Sequence, residues 1–395
     1  MSRVRLLGFS VVAGAAAFFL LLLFFNERSH VSLSKTFTNP LKCYTRGICT
    51  PQHNYNHIAT VKDVIKQQGA FIEQATSDYP FPNNWKLQNF TLSTGGRPLR
   101  NIIIATWRSG STFLGDIINA VPGNFYHYEP LLNYGIVQIG GPPYGDTAVK
   151  NLKKLLNCDY TDFGNYLAFR QTSVCLFIHN KRLWDVCDLY PKYCWDPMFL
   201  SEFCKLFPFQ SIKVVRLRLE LTEELLKDES LNVRILLLVR DPRGTLQSRK
   251  HTTWCLGFPD CEQPNLFCEG LVAEYKTAIR FKNEYPTRFR VIRYENLSID
   301  PYRHTKDIFQ FFQLHFHPTV RAFLDSHTKQ TYGGMYSTFR DSKSVPFHWR
   351  MDLNFSEVQY IEKNCDQAMK LWGYVKAHNE SHLREFNPLD DYTVE

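Results

Sequence analysis

The chain has 395 residues, of which 44% are hydrophobic and 15% are aromatic. This composition is sufficient for a large buried core and excludes an intrinsically disordered protein. The formal net charge of +8 favours an anionic ligand, but the basic residues are spread along the chain. Charge alone therefore does not distinguish a nucleotide from a sulfated glycan or a nucleic acid.

The N-terminus predicts a membrane anchor. Residues 6–25 contain no charged side chain, and as a helix they are long enough to cross a bilayer core of about 30 Å. Arg3 and Arg5 precede this stretch, so the positive-inside rule places residues 1–5 in the cytosol and the rest of the chain in the lumen. A cleaved signal peptide is the alternative, but its apolar region usually has only about 7 to 15 residues.

The segment 26–98 predicts a stem. It is polar, carries scattered Pro, Asn and Ser, and shows no sustained apolar period. The folded catalytic domain is therefore expected at 99–395.

Cysteines and glycosylation sequons support a luminal location for this domain. The eleven cysteines include no C-x-x-C pair, so disulfides are expected rather than a zinc ribbon or a redox motif. Their connectivity stays open, and the odd count leaves at least one cysteine outside the pairs. N-x-S/T sequons occur at Asn89, Asn296, Asn354 and Asn379.

Short apolar runs rich in β-branched residues predict the fold class. They occur at 101–106, 211–217, 233–239 and 288–294, with helix-like segments between them and a helix predicted at 112–119. Continuous apolar strands that alternate with helices are typical of a parallel sheet covered on both faces. We therefore predict a three-layer α/β domain.

The segment Trp107-Arg-Ser-Gly-Ser-Thr-Phe113 lies between the first predicted strand and its helix. Backbone N–H groups at a helix N-terminus bind phosphate or sulfate, and Arg108 adds a guanidinium that can bind an oxyanion. The segment does not match G-x-x-x-x-G-K-[ST], because it has no lysine, so a P-loop nucleotide triphosphatase is disfavoured. An ordinary turn with a helix cap is the alternative.

A second segment, Val239-Arg-Asp-Pro-Arg-Gly-Thr-Leu-Gln-Ser248, also follows a buried strand. Asp241 and Pro242 are a common N-cap and first-residue pair for a helix. Arg240 at the strand end and Ser248 on the helix are then placed to share a second phosphate. Taken alone, the segment is better explained as a simple helix start with solvated arginines.

Together the two segments resemble the signatures for 3′-phosphoadenylyl sulfate (PAPS) in the carbohydrate sulfotransferases that act on the 6-hydroxyl of galactose, N-acetylgalactosamine or N-acetylglucosamine. In that family the W-R-S-G-S-[ST]-F loop binds the 5′-phosphosulfate and the R-D-P-R-x-x-x-x-S segment binds the 3′-phosphate. The resemblance covers residues 100–375, and further similar fragments are Tyr128–Pro130, Lys213–Leu217, Arg293–Leu297 and Ser342–Arg350. One departure is Gly244, where alanine is usual, and we expect it to leave the ligand-binding groups untouched.

The resemblance implies roles for individual residues. PAPS-binding residues would be Trp107, Arg108, Ser109, Gly110, Ser111, Thr112, Phe113, Arg240, Asp241, Pro242, Arg243 and Ser248. Sulfuryl transfer also needs a base for the proton of the hydroxyl and donors for the developing charge. We predict Glu129 as the base and Arg108 as the catalytic donor, with a structural ion pair as the alternative for Glu129. Glu295 is expected to support the fold.

The predicted function is transfer of a sulfuryl group from PAPS to a sugar hydroxyl of a glycan or proteoglycan, by a type II protein of the Golgi membrane. No metal is expected, since no H-E-x-x-H motif is present, and no nucleic-acid partner is expected. Two alternatives stay open: a luminal nucleotide-dependent kinase, and a glycan-binding membrane protein without catalysis. The sequence does not determine the acceptor sugar. It also does not determine the oligomeric state, and a homo-oligomer stays open.

Overall fold

The computed structural model describes residues 60–172, 178–331, 333–334 and 337–394. A parallel sheet forms its centre, with the strand order β2-β3-β1-β4-β5. The strands are β1 (Leu99–Ile104), β2 (Asn124–Tyr128), β3 (Phe209–Val214), β4 (Val233–Val239) and β5 (Phe289–Arg293). The parallel α/β sheet predicted from sequence is confirmed. Strand β2 was not predicted, because its residues are aromatic or polar and do not form an aliphatic run.

Helices connect the strands and cover the sheet. In the described part of the chain they are α1 (Val61–Ala75), α2 (Ser111–Asn119), α3 (Gly145–Leu156), α4 (Gly164–Thr172), α5 (Lys181–Leu189), α6 (Pro197–Cys204), α7 (Glu223–Lys227), α8 (Pro242–Lys250), α9 (Pro259–Glu262), α10 (Pro264–Glu284), α11 (Tyr294–Ile299), α12 (Pro301–Phe312), α13 (Pro318–His327), α14 (Trp349–Asp352), α15 (Phe355–Leu371) and α16 (Glu380–Glu385).

The core has two halves, one on each face of the sheet. Successive residues of β1 alternate between them: Ile102 and Ile104 pack with residues of α3, α6, α10 and α15, whereas Ile103 packs with residues of α2, α12 and α13. This alternation follows from the pleat of a strand, whose side chains point to opposite faces in turn. Both faces are therefore covered, and the domain has three layers.

Residues 60–98 differ from the predicted stem. Helix α1 begins with a capping box in which Thr60 and Asp63 cap each other, and it buries Val64 and Ile72 in the core. Further along, Phe90 is buried in the other half of the core. This part of the stem prediction is wrong, because a few apolar residues spaced along a polar sequence suffice to attach the segment to the domain. The stem prediction for 26–59 lies outside the described residues.

Disulfides link pairs of cysteines within the described residues, as expected. The pairs are Cys158–Cys204, Cys187–Cys194, Cys255–Cys261 and Cys268–Cys365. The last pair joins the long helices α10 and α15 across 97 residues of sequence. Cys43, Cys49 and Cys175 lie outside the described residues.

The predicted membrane anchor at 6–25 also lies outside the described residues. Among the helices that the structure describes, none combines the length and the apolar character that a membrane span requires.

Candidate active site at the carboxyl edge of the sheet

The two sequence motifs meet at the carboxyl edge of the sheet. The first follows β1 and the second follows β4, and these strands are parallel neighbours. Arg108 Nε donates to Ser248 Oγ at 3.0 Å, and Arg240 Nη1 donates to the carbonyl oxygen of Arg108 at 2.8 Å. In open α/β sheets this edge is where ligands bind. The structure therefore brings together the groups that were expected to hold two different phosphates.

The loop between β1 and α2 is shaped to expose a helix N-terminus. Arg108 and Gly110 have positive φ values of 67° and 86°. A Cβ atom on Gly110 would lie only 2.2 Å from the ring of Tyr294, so a glycine is required there for two reasons. No side chain caps the start of α2 at Gly110. The first N–H groups of the helix are thus available to an anion.

The predicted residues of this first motif divide into two groups. Arg108, Gly110 and Thr112 are partly exposed. The other four, which are Trp107, Ser109, Ser111 and Phe113, are buried. Ser109 Oγ donates to the carbonyl oxygen of Thr106 at 2.8 Å, so its hydroxyl stabilises the turn. The buried group holds the shape of the loop, and the exposed group faces the site.

The predicted residues of the second motif divide in the same way. Arg240 and Ser248 are partly exposed beside Arg108, as described above. Asp241 caps α8 by accepting from the backbone N–H of Arg243, and Pro242 is the first residue of the helix. Asp241, Pro242 and Arg243 are all buried.

Arg243 is committed to ion pairs inside the protein. Its guanidinium lies 2.7 Å from Asp241 and 2.7 Å from Glu362, and it also donates to the carbonyl oxygen of Val375 at 2.8 Å. A fully buried guanidinium with these partners stabilises the junction of α8 and α15. The structure therefore does not bring Arg243 to the anion-binding edge with Arg240.

Glu295 binds the backbone at the start of α8. Its Oε1 accepts from the backbone N–H of Asp241 at 3.0 Å, and its Oε2 accepts from the hydroxyl of Tyr374 at 3.0 Å. Burial, and then the charge of Asp241, raises the pKa of Glu295. These contacts agree with the supporting role expected for this residue.

Glu129 lies immediately after β2, in an unusual backbone conformation. Its φ is 43°, a region that costs a residue with a side chain about 1–3 kcal/mol. Its two carboxylate oxygens lie 2.5 Å from Lys213 Nζ and 2.5 Å from Arg216 Nη1. Burial alone would raise the pKa of Glu129, but these two cations outweigh that effect and lower the pKa to about 2. The carboxylate is therefore ionised at neutral pH.

Lys213 connects Glu129 to the first motif. Its Nζ lies 3.4 Å from Thr112 Oγ1, at the start of α2, as well as 2.5 Å from Glu129. The side chain is only 1% exposed, and its ammonium also lies 4.0 Å from the ring centre of Tyr128. Strand β3 thus delivers a buried cation between the predicted base and the predicted anion site.

The comparison with protein families decides the identity. The model described as the sulfotransferase domain matches residues 99–373, which is more than half of the chain. The chain belongs to the sulfotransferase family. This confirms the resemblance stated from the two motifs.

Curated relatives of this sulfotransferase carry carbohydrate sulfotransferase names. Carbohydrate sulfotransferase 5 of Mus musculus is 28% identical, over 74% of this chain and 85% of the relative. Carbohydrate sulfotransferase 4 of Mus musculus is 26% identical, over 72% and 84%. Carbohydrate sulfotransferase 3 of Homo sapiens is 26% identical, over 72% and 69%. A solved mouse sulfotransferase in complex with PAP is 12% identical, with a TM-score of 0.36, and the match covers 80% of this chain and 96% of that one.

Three cationic residues of this sulfotransferase site received no role from the sequence. Lys213 and Arg216 hold Glu129, and Arg249 donates from Nε to the carbonyl oxygen of Trp107 at 3.1 Å. The sequence did contain a signal for Lys213 and Arg216. They lie within or just after an apolar strand, where a buried charge needs a partner. Arg249 had no comparable signal, because it is one of many basic residues on a predicted helix.

Position 244 corrects one expectation. A Cβ atom built on Gly244 would lie 3.3 Å from both Nε and Nη2 of Arg240, and 3.0 Å from Cδ1 of Trp349. Gly244 was expected to leave the ligand-binding groups untouched. The structure instead places it against the guanidinium of Arg240, whose side chain lies beside the first turn of α8.

No cluster of three or more His, Cys, Asp or Glu side chains that could hold a metal ion occurs within the part of the chain that is described. His378 and His382 are one helical turn apart, with ring centres 4.6 Å apart, but they lie in the C-terminal segment and not among the motif residues.

Proposed function

We propose that this sulfotransferase moves a sulfuryl group from PAPS to a sugar hydroxyl, the 6-hydroxyl of galactose, N-acetylgalactosamine or N-acetylglucosamine, on a glycan or proteoglycan. The observation that carries the proposal is the hydrogen bond between Arg108 and Ser248, with Arg240 beside it. It unites two predicted oxyanion sites at one edge of the sheet. The carbohydrate sulfotransferase names of the relatives favour a sugar acceptor.

The residues at this edge fit a donor with two separated anionic groups. The uncapped start of α2, together with Arg108 and Thr112, would bind the 5′-phosphosulfate. Arg240 and Ser248 would bind the 3′-phosphate through a guanidinium and a hydroxyl. Burial, together with the charges of Arg218 and Arg108, lowers the pKa of Arg249 nearby, so a bound anion would relieve repulsion among these cations.

In the proposed reaction the acceptor oxygen forms a bond to sulfur while the bond from sulfur to the 5′-phosphate oxygen breaks. The leaving phosphate keeps the electron pair of that bond, and Arg108 stabilises the charge that develops. Lys213, between Glu129 and Thr112, is placed to stabilise charge on the transferred group.

Glu129 would receive the proton of the acceptor hydroxyl. A base whose pKa is lowered to about 2 is a weak one at neutral pH. Glu129 would therefore accept the proton late, after bond formation to sulfur has made the hydroxyl acidic. We expect its contribution to lie near the low end of the usual range for a general base, about 10² in rate.

We further propose that the protein is anchored by residues 6–25 in the Golgi membrane, with residues 1–5 in the cytosol and the catalytic domain in the lumen. The described disulfides support an oxidising compartment. The side chains of Asn89, Asn354 and Asn379 are exposed and accessible to glycosylation. Glycosidase treatment of the full chain from animal cells should increase its gel mobility. Unchanged mobility would contradict the luminal location.

The test of the proposed activity is incubation of the full chain with labelled PAPS and a panel of glycans, followed by mass spectrometry to locate the sulfate. We expect sulfate on a 6-hydroxyl of one of the three sugars. Sulfate at another carbon would correct the acceptor position, and no sulfate on any glycan would refute the proposed function.

A further inference from the structure

A second arginine, Arg170, contacts the backbone of Glu129. Arg170, on α4, is buried and only 1% exposed. Its Nη2 donates to the carbonyl oxygen of Tyr128 at 2.5 Å and to that of Glu129 at 3.0 Å. One guanidinium therefore binds the two peptide groups that flank the α-carbon of Glu129.

These bonds act on a backbone in an energetically costly conformation. Glu129 has a φ of 43°, and Pro130 follows it, which narrows its allowed conformations further. Its N–H donates to the carbonyl oxygen of Lys213 at 3.0 Å, and its own carbonyl oxygen accepts from the N–H of Leu132 at 3.1 Å. The strand and the turn supply those two bonds, and Arg170 supplies the contact from outside the local chain.

The direction of the Glu129 carboxylate depends on this backbone. Its Oε1 reaches Lys213 and its Oε2 reaches Arg216, each at 2.5 Å, and both contacts require the side chain to leave the backbone in one particular direction. A return to an ordinary negative φ would turn the side chain away from both cations. Loss of Arg170 would also remove a donor from the partly buried carbonyl group of Tyr128.

We propose that Arg170 is a positioning residue, which fixes the strained backbone of Glu129 so that its carboxylate faces the reacting groups. The inference rests on the proposed function, because Arg170 would affect the transfer rate only through Glu129, the proposed base. Arg170 donates to the backbone of Tyr128 and Glu129 and belongs to neither motif, so we expect it to act on the transfer rate and not on donor binding.

The test is a double-mutant cycle in the full chain, with Arg170→Met, Glu129→Gln and the double variant. Arg170→Met should lower kcat about 100-fold, the size of effect expected from misplacing a reacting group by an ångström, while the Kd for PAPS changes less than about threefold. In the double variant, Arg170→Met should add no further loss to Glu129→Gln, because both changes remove the same group from action. If the two losses multiply, Arg170 does not act through Glu129 and the inference is overturned.

Arg182 offers a matched control. It is a partly buried arginine that donates to two backbone carbonyl oxygens, those of Asn119 at 2.9 Å and Val121 at 2.7 Å, away from Glu129. Arg182→Met should lower the melting temperature but keep kcat within about threefold of the parent. An equal loss of kcat in Arg182→Met and Arg170→Met would show a general effect of stability and refute the inference.

Arg170→Lys keeps the test open if Arg170→Met does not fold. It retains a charge and a donor, and we expect a kcat between those of the parent and Glu129→Gln, with PAPS affinity unchanged. A parent-like kcat in every folded Arg170 variant would refute the inference alone, whereas a parent that transfers no sulfate from PAPS would refute the proposed function itself.

Discussion

Arg108 and Ser248, 140 residues apart in sequence, are joined by a hydrogen bond of 3.0 Å from Nε to Oγ. Arg108 lies in the loop that follows β1, and Ser248 lies on helix α8, which follows the neighbouring parallel strand β4. A ligand that binds the loop after β1 is therefore in reach of the second motif. This arrangement suits a donor nucleotide that carries a reactive anionic group at one end and a further phosphate elsewhere.

Substitution of Arg240 should mainly lower the affinity for PAPS. Arg240→Ala would remove the proposed charge-assisted hydrogen bond to the 3′-phosphate, worth about 1.5–3 kcal/mol, so calorimetry should show PAPS binding weakened roughly 10- to 150-fold. Lys250→Ala is the control, because Lys250 is an exposed cation on the same helix that pairs with Glu357. Equal PAPS affinities for Arg240→Ala and the parent would leave the second motif as a helix start only.

Glu129 and Arg108 should give different kinetic results. Glu129→Gln keeps the size of the side chain but removes the base, so we expect kcat to fall about 10²-fold with PAPS affinity nearly unchanged. Arg108→Ala should lower both kcat and PAPS affinity, since we propose that its guanidinium contacts the donor before and during transfer. Steady-state kinetics and calorimetry on both variants separate these outcomes. A parent-like kcat in Glu129→Gln would mean that the base is another residue.

The low pKa of Glu129 also predicts a pH dependence of stability. The pKa in the folded state is about 2, below the ordinary value of 4.5. The folded state therefore gains stability from this carboxylate above pH 4.5 and loses it as the pH falls from there towards about 2.

Melting temperatures of the parent and Glu129→Gln between pH 7 and pH 3 measure this effect. The parent should be more stable by a constant amount at neutral pH, because Glu129→Gln leaves Lys213 and Arg216 without their carboxylate. The difference should shrink below about pH 4.5. A difference that stays constant down to pH 3 would contradict the proposed electrostatic origin.

Arg243 should behave as a structural residue, in contrast to Arg240. Arg243→Met removes the partner of two buried carboxylates, those of Asp241 and Glu362, and breaking such a pair typically costs about 3–5 kcal/mol. Chemical denaturation should show this loss, while PAPS binding below the unfolding transition stays close to that of the parent. Normal stability with weakened PAPS binding would instead restore the ligand role implied by the family resemblance.

The sequence predicted the parallel sheet and the meeting of the two motifs, for identifiable reasons. Aliphatic runs such as Val233–Val239 mark strands buried on both faces, and motifs that follow parallel strands must lie at the same edge. Strand β2 was not predicted, because Asn124–Tyr128 is aromatic and polar. The packing of residues 60–98 against the domain was not predicted, because it depends on single side chains such as Phe90.

The interior of the site was less predictable than its motifs. The contacts of Glu129 with Lys213 and Arg216 join different strands, and the contact of Arg170 joins a helix to a turn 41 residues away. None of these pairs has a fixed spacing in sequence, since each depends on how the layers pack. A motif indicates which groups bind the ligand. Only the fold shows which buried charges orient those ligand-binding groups.

Transfer of radiolabelled sulfate from PAPS to a glycan, measured for the full chain with EDTA present, is the decisive experiment on the proposed activity. We expect label on a sugar hydroxyl at the rate seen without EDTA, because the proposed reaction uses no metal, and strongly reduced label for Arg108→Ala. No transfer of sulfate, together with Mg²⁺-dependent transfer of phosphate from ATP to the same glycan, would contradict it.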